Sequence, residues 1–211
     1  MRSLNNVVPL PLRTEPVPPQ RATPTRRPNA ELRSREFLTE HEVELLITAA
    51  TGNRWGHRDS TMILIGYRHG LRASELCDLR WDQVDLTGAV LHVRRVKNGT
   101  PSTHPLSGRE LRALRKLQRE RASTDYIFVS ERGAPFSTEG FARMLQRAAK
   151  AAGLESLRVH PHALRHGCGY ALANNGHNTR DLQHWLGHKN IQHTVRYTEL
   201  SPTRFKNFWR A

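Results

Sequence analysis

The chain has 211 residues, enough for one compact core with an extended arm and too few for several independent domains. It carries 33 Lys and Arg against 19 Asp and Glu, a formal charge of +14. We therefore expect a polyanionic partner, nucleic acid ahead of an anionic membrane surface. No apolar run approaches the roughly 18 residues of a transmembrane helix, and the first residues lack the apolar block of a signal peptide. A cytoplasmic protein with no membrane contact is predicted.

The chain contains two cysteines, Cys77 and Cys168, which form no CxxC pair. Both fall in segments with a helical pattern. Neither a disulfide framework nor a cysteine zinc site is indicated, and we interpret both as thiols of the core.

Composition divides the chain into three parts. Residues 1–36 are dense in proline and arginine and lack a hydrophobic period. They predict a disordered arm, which either follows a phosphate backbone or is a solvated leader. Residues 37–200 carry the periodic patterns of a folded domain. Residues 201–211 predict a short amphipathic tail helix with Phe205, Phe208 and Trp209 on one face, which either packs on its own core or is exchanged between protomers.

The first part of the folded domain has helical patterns. Thr39 and Glu42 form a capping box that opens a first helix. A second helix is predicted over 59–69, with Gly70 at its end. The stretch "RASELCDLRWDQV" predicts a third helix, whose apolar positions face inward.

The stretch "AVLHVRRVKNGTPSTHPL" alternates in hydrophobicity and predicts two antiparallel strands with a turn at "KNGT". Ser107 and Glu110 form a second capping box, which opens a basic helix; "YIFVS" then predicts a short strand, and 137–152 a helix. The remainder is predicted to be helical, with breaks at Gly176, Gly187 and 201–202. The fold class is therefore α+β, mainly α-helical, with a small antiparallel β-sheet.

Three separated stretches carry residues suited to phosphate chemistry. In "YRHGLRASELCDLRW", Arg72 and Glu75 lie three apart and share a helical face, although a surface ion pair is the simpler explanation of this stretch taken alone. In "HPHALRHGCGY", His162 and Arg165 also stand three apart and can point at one target. The third stretch, "LGHKNIQHTVRY", places Tyr197 nine positions after a histidine, late in the chain.

The sequences of these stretches, and their order along the chain, resemble those of the tyrosine recombinase family, also called the phage integrase family, over roughly residues 37–200. The resemblance implies that this part is a tyrosine recombinase catalytic domain. It implies that Arg72 and Arg165 bind phosphate, that His162 opens a His-x-x-Arg motif, and that Tyr197 is the nucleophile. The second active-site histidine implied by the resemblance is His188.

A lysine from a β-hairpin belongs to the same pattern. Lys97 in "VKNGT" stands at the matching place, and the neighbouring Arg94 and Arg95 are rivals for it. The expected role of the lysine is to protonate the departing 5′-oxygen of deoxyribose.

Attack on a phosphodiester explains why arginines, histidines and a tyrosine would be needed. A phosphodiester is negatively charged and gains charge on its non-bridging oxygens during attack, and guanidinium groups bind such oxygens bidentately while staying charged. A tyrosine of unperturbed pKa about 10 is only roughly one-thousandth ionised at neutral pH. Another group must therefore assist in removing its proton, and His162 is the better candidate. His188 is expected to hydrogen-bond a phosphate oxygen. Glu75 is expected to hold an active-site cation in position.

The resemblance also implies a covalent 3′-phosphotyrosyl intermediate and no cofactor or metal. The implied partners are double-stranded DNA and further copies of the chain, with a tetramer in synapsis and accessory DNA-bending proteins. With about 36 arm residues in place of an N-terminal domain, the chain resembles the short, catalytic-domain-only fimbrial-switch invertases. A truncated integrase is the alternative.

Other functions remain open from the residues alone. His184 with His188, and His160 with His162, have spacings found in metal sites, although the glutamate of a metalloprotease motif is missing. The basic helices would bind phosphates even if Tyr197 were unreactive, which describes a non-catalytic DNA-binding regulator. A type IB topoisomerase activity uses the same chemistry without pairing sites.

Overall fold

The computed structural model describes residues 37–96, 99–120 and 124–199. Within these residues the helices, in chain order, are α1 (Glu40–Ala50), α2 (Gly56–Arg68), α3 (Ala73–Cys77), α4 (Gly108–Glu120), α5 (Thr138–Ala151), α6 (Pro161–Asn174), α7 (Thr179–Leu186) and α8 (Gln192–Glu199). The strands are β1 (Val84–Asp85), β2 (Val90–Val93) and β3 (Ser102–Pro105). The predicted fold class, mainly helical with a small antiparallel sheet, is confirmed. In the described part of the chain, no helix is both long and apolar enough to cross a membrane.

Helix α1 begins where the capping box predicted it. Thr39 is the N-cap, its hydroxyl accepts from the Glu42 N–H, and the Glu42 carboxylate accepts from the Thr39 N–H at 2.7 Å. The apolar stripe of α1 is buried against α2 and α5. A local signal of four residues therefore fixed the start of the helix correctly.

Helix α2 lies at the centre of the domain and is buried over nearly its whole length. It begins at Gly56, three residues before the predicted start, and its end at Gly70 is confirmed by the positive φ of 55° there. The Gly56 Cα faces the Thr51 carbonyl so closely that a Cβ would lie 2.2 Å from its oxygen. The start was missed because a helix buried on all sides has no alternation of polar and apolar faces, and this alternation is what shows in a sequence where a helix begins.

Two predictions after α2 were wrong in extent. The third helix stops at Cys77, followed by a 3₁₀ turn at Trp81–Gln83 and strand β1. The backbone leaves the helix because Leu79 accepts from the Ile127 N–H and Trp81 donates to the Asp125 carbonyl, both at 2.9 Å. The segment "YIFVS" is accordingly not a strand but makes isolated bridges to neighbouring chain. This segment is apolar because it is buried, and from the sequence alone a buried apolar segment looks the same whether or not it is paired in a sheet.

The small sheet has the order β1-β2-β3, antiparallel throughout. Strands β2 and β3 pair from Val90 opposite Pro105 to Val93 opposite Ser102, so the predicted hairpin is confirmed. Strand β1 was not predicted, because two residues are too short to show alternation. The turn residues Lys97 and Asn98 lie outside the described residues.

The carboxyl-terminal helices α6, α7 and α8 pack on one another, and α6 also packs on α2. The predicted breaks at Gly176 and Gly187 are confirmed by φ values of 87° and 65°. The sulfur atoms of Cys77 and Cys168 are free and buried in the core, as predicted. The arm (1–36), the break at 201–202 and the tail helix lie outside the described residues.

Candidate active site

Arg72 and Glu75 are joined by two contacts at the start of α3. Arg72 is the N-cap residue: its N–H donates to Glu75 Oε2 at 2.9 Å and its guanidinium to Oε1 at 2.6 Å. Glu75 is buried, whereas 27% of the Arg72 side chain is exposed, so the pair is not a surface ion pair. Burial by itself would raise the pKa of the Glu75 carboxyl, but the Arg72 N–H and the charge of Arg95 lower it below its usual value. Glu75 is therefore ionised.

Arg165 lies in α6 and is almost completely buried. Its guanidinium donates to the carbonyl of Gly70, just past α2, and to the carbonyl of Leu186, the last residue of α7, at 2.7 Å. Both acceptors lie at the carboxyl ends of helices, where the helix dipole favours a cation. Burial and the charge of Arg72 lower the pKa of Arg165 to about 10, so it remains protonated at neutral pH.

His188 follows the left-handed Gly187 that ends α7. Its Nδ1 lies 2.8 Å from the Thr194 hydroxyl of α8. Burial, together with the charge of Arg165, lowers the pKa of His188 to about 3. The ring is therefore neutral and can donate a hydrogen bond from one nitrogen. His188 and Arg72 line the same open cavity.

Tyr197 lies on α8, is 2% exposed, and has its ring stacked 6.4 Å from that of His188. Its hydroxyl is 2.8 Å from Nδ1 of His166, and Tyr170 packs edge-on against its ring. Its ring lies over Gly169, where a Cβ would be 2.8 Å from the phenol carbon that bears the hydroxyl. Burial raises the pKa of Tyr197 to about 12, although the charge of Arg165 opposes the shift.

His162 and His166 lie one turn apart on α6. His162 is exposed, and its ring meets that of His166 edge-on with 4.3 Å between centroids. Burial lowers the pKa of both histidines, to about 3 for His166. Sequence reasoning missed His166, the partner of the Tyr197 hydroxyl, although its spacing of four from His162 places both on one helix face.

The rivals of Lys97 occupy different environments. Arg94 is an exposed residue whose guanidinium pairs with Asp82 at 2.8 Å. Arg95 is completely buried, and donates to Glu75 Oε2 at 2.9 Å and to the Trp185 carbonyl. Neither arginine is therefore a free cation of the turn. Lys97 itself lies outside the described residues.

Taken together, the structure brings most of the predicted site residues into one electrostatically coupled group. The charges of Arg72 and Arg165 both lower the pKa of His162 and of His188. No cluster of three potential metal-binding His, Cys, Asp or Glu side chains occurs in residues 37–96, 99–120 and 124–199.

Comparison with known proteins identifies the family of this chain. The family model described as "Phage integrase family" matches residues 36–204. The type 1 fimbriae regulatory protein FimE of Escherichia coli (strain K12) is 42% identical over 181 residues, 83% of this chain and 91% of FimE. The crystal structure of XerA recombinase has a TM-score of 0.71 at 30% identity, covering 82% of this chain and 63% of the XerA chain.

A third similar structure is that of the Tn1549 transposon integrase in complex with circular intermediate DNA. It has a TM-score of 0.66 at 25% identity and covers 76% of this chain and 61% of the integrase. This chain thus spans most of FimE but less than two thirds of the two structural neighbours. The chain belongs to the phage integrase family and is a site-specific tyrosine recombinase.

Proposed function

We propose that this chain cuts and rejoins double-stranded DNA by attack of the Tyr197 hydroxyl on a phosphodiester. The observation that carries the proposal is the packing of histidines around one buried tyrosine: the Tyr197 ring lies 6.4 Å from that of His188, and its hydroxyl contacts His166, whose ring meets that of His162. The charges of Arg72 and Arg165 act on both His162 and His188. Arg72, part-exposed beside the open cavity, binds the phosphate directly. Arg165, fixed by two helix-end carbonyls, adds a charge that needs no reorganisation during the reaction.

The step conserves the number of phosphoester bonds. The Tyr197 oxygen forms a bond to phosphorus, and the bond between phosphorus and the deoxyribose 5′-oxygen breaks. The phenol proton leaves with assistance from His162, Lys97 supplies a proton to the departing oxygen, and neutral His188 donates to a non-bridging oxygen. The product is a 3′-phosphotyrosyl link and a free 5′-hydroxyl, which can reverse the step without a cofactor, a metal or an energy source.

The Tyr197 proton requires a change on DNA binding. With a pKa of about 12, the buried phenol is ionised in about one molecule in 10⁵ at pH 7. A bound phosphate neutralises part of the positive charge of the arginines. Because this charge lowers the pKa of His162, its partial neutralisation makes His162 a stronger base when DNA is bound. His162 sits at the exposed start of α6, where DNA would approach. Glu75 keeps Arg72 in place while this happens.

The proposed partners follow from charge and family. A formal charge of +14 favours DNA, and the Tn1549 integrase, a structural neighbour, is in complex with DNA. We propose a homo-oligomer on DNA that becomes a tetramer when two duplexes pair, with accessory DNA-bending proteins, acting in the cytoplasm. The resemblance to the short fimbrial-switch invertases favours inversion of a DNA segment over integration or excision, and the similarity to a regulatory protein of type 1 fimbriae over 91% of its length supports this choice.

A suicide-substrate assay tests the proposal. Nicked duplexes prepared from the DNA that flanks this gene are incubated with the chain, then denatured and resolved by electrophoresis. We expect denaturant-resistant protein–DNA adducts that disappear in Tyr197→Phe. Specific binding without adducts would contradict the proposal and leave a non-catalytic DNA-binding regulator. Relaxation of supercoiled DNA without joining of two sites would instead indicate a topoisomerase.

A further inference from the structure

The guanidinium of Arg95 joins three elements that carry the site. Arg95 follows β2, its Nη1 donates to Glu75 on α3 at 2.9 Å, and its Nη2 donates to the Trp185 carbonyl at the end of α7. The side chain is 0% exposed, and the contacts of its guanidinium in this structure are with protein groups. Its role must therefore be exerted on other protein groups.

The carboxylate of Glu75 is shared between two guanidinium groups. One oxygen binds Arg72, and the other binds Arg95 as well as the Arg72 N–H. The N–H of Val96 also points at the first oxygen, at 3.3 Å. Glu75 is thus held from the side of the hairpin, and Arg72 receives a carboxylate whose position is already fixed.

The second contact of Arg95 lies at the end of α7. The Trp185 carbonyl that accepts from Arg95 is adjacent in sequence to the Leu186 carbonyl that accepts from Arg165. His188 follows two residues later. Arg95 therefore contacts the groups that position Arg72, Arg165 and His188.

Gly187 completes the arrangement. A Cβ on Gly187 would lie 2.6 Å from Nε and 2.8 Å from Cδ of Arg95, and the φ of Gly187 is 65°. Only glycine leaves room for the guanidinium and adopts this backbone conformation at no steric cost. The glycine of the "LGH" stretch is explained by Arg95 as well as by the helix end.

We propose that Arg95 is a positioning residue of the recombinase, which locks Glu75 and the carboxyl end of α7 so that Arg72 and Arg165 face one phosphate. The inference rests on the proposed function. Without Arg95, the buried Glu75 carboxylate would have Arg72 as its one remaining side-chain partner among the described residues. The oxygen that Arg95 now binds would then draw the Arg72 guanidinium further inward, away from the phosphate. A lysine at position 95 cannot bind the Glu75 carboxylate and the Trp185 carbonyl together, because its single ammonium replaces the two guanidinium nitrogens that bind them.

Cleavage of a charged and of an uncharged scissile group is compared, because a misplaced arginine slows only the first whereas a general loss of structure slows both. Arg95→Met and Arg95→Lys are compared with Arg94→Met and Arg94→Lys, in which the neighbouring, exposed arginine is changed. Each variant is incubated with a suicide duplex of the gene-flanking DNA. The scissile group is either the ordinary phosphodiester or a methylphosphonate, which has no charge for arginines to neutralise. The rate of release of the strand with the free 5′-hydroxyl is measured.

We expect Arg95→Met to lower release from the phosphodiester by about 10²-fold and from the methylphosphonate by less than about 10-fold. The Arg94 variants should match the wild-type chain. Release at the wild-type rate by both Arg95 variants, or an equal loss on both substrates, would overturn the inference. If Arg95→Met does not fold, as judged by thermal unfolding, the Arg95→Lys comparison decides. Absence of release by the wild-type chain on both substrates would overturn the proposed function as well.

Discussion

Nδ1 of His166 lies 2.8 Å from the hydroxyl of Tyr197 and accepts its hydrogen bond when the ring carries its proton on Nε2. The pKa of the histidine is about 3 and that of the phenol about 12, both displaced mainly by burial. The proton therefore stays on Tyr197, and His166 holds the nucleophile without activating it. A second group, which we propose to be His162, has to take the proton when DNA is bound.

Substitution of His162 should lower the rate of the first chemical step and change its pH dependence. Because burial and the charge of Arg165 lower the pKa of His162 below the ordinary histidine value of about 6.5, its neutral form is present at pH 7 and is lost only at a pH below that value. We expect adduct formation by the wild-type chain to slow as the pH falls through this range. His162→Gln should be slower by about 10²-fold to 10⁴-fold and lose this inflection. His184→Gln, at an exposed histidine, is the control. An unchanged pH profile in His162→Gln would exclude this role.

The close approach of Tyr197 to Gly169 predicts a sensitive position. An added methyl group would lie 2.8 to 2.9 Å from three ring carbons of Tyr197, so the ring must move. We expect Gly169→Ala to destabilise the chain by about 1–3 kcal/mol and to slow adduct formation. Thermal unfolding and the suicide-substrate assay measure these effects. Gly52→Ala, where the nearest atom is 3.6 Å away, should change neither. Full cleavage by Gly169→Ala would show that Tyr197 reacts from a different position.

Stability should fall in mildly acid solution because histidines are buried neutral. His104 has a pKa lowered to about 3, chiefly by burial and by the neighbouring His69, whereas the unfolded chain has about 6.5. Below pH 6.5 the unfolded state binds the proton, so stability is present at pH 7 and lost as the pH falls toward 3. The loss for one such group is about 2 kcal/mol at pH 5.

Chemical denaturation of His104→Asn tests this contribution. The amide replaces the Nδ1 contact to His69 without a titrating ring. We expect the difference in unfolding free energy between pH 7 and pH 5 to be smaller by about 2 kcal/mol than in the wild-type chain. Equal differences would mean that His104 does not titrate in this range.

Removal of divalent metal should leave the reaction unchanged. The proposed charge stabilisation comes from Arg72 and Arg165, and both proton transfers are assigned to side chains. We therefore expect the same rate of adduct formation with and without a strong chelator. Loss of activity on chelation, restored by zinc, would support the alternative in which His184 and His188 bind a metal.

The parts of the fold that the sequence predicted are those with local causes. The capping box of Thr39 and Glu42 and the left-handed Gly187 need only neighbouring residues, and each marks the correct helix end. The end of α3 depends on hydrogen bonds to a segment almost fifty residues away, which no local pattern reveals. The short strand β1 exists only because β2 is beside it.

The same distinction applies to the site. The pair of Arg72 and Glu75 was visible as a spacing of three residues. His166 was not identified, and Arg95 was named only as a rival of Lys97, because their partners are 31 and 20 residues distant in the chain. Family likeness indicates which residues face the substrate, whereas buried supporting contacts depend on how distant elements pack in this chain.

The most direct measurement is the identity of the residue that becomes linked to DNA. The adduct formed on a 5′-labelled suicide strand is digested with trypsin and nuclease and examined by mass spectrometry. We expect a nucleotide joined through its 3′-phosphate to Tyr197 in the peptide 197–204, "YTELSPTR". A nucleotide on any other peptide, or a link through a 5′-phosphate, would contradict it.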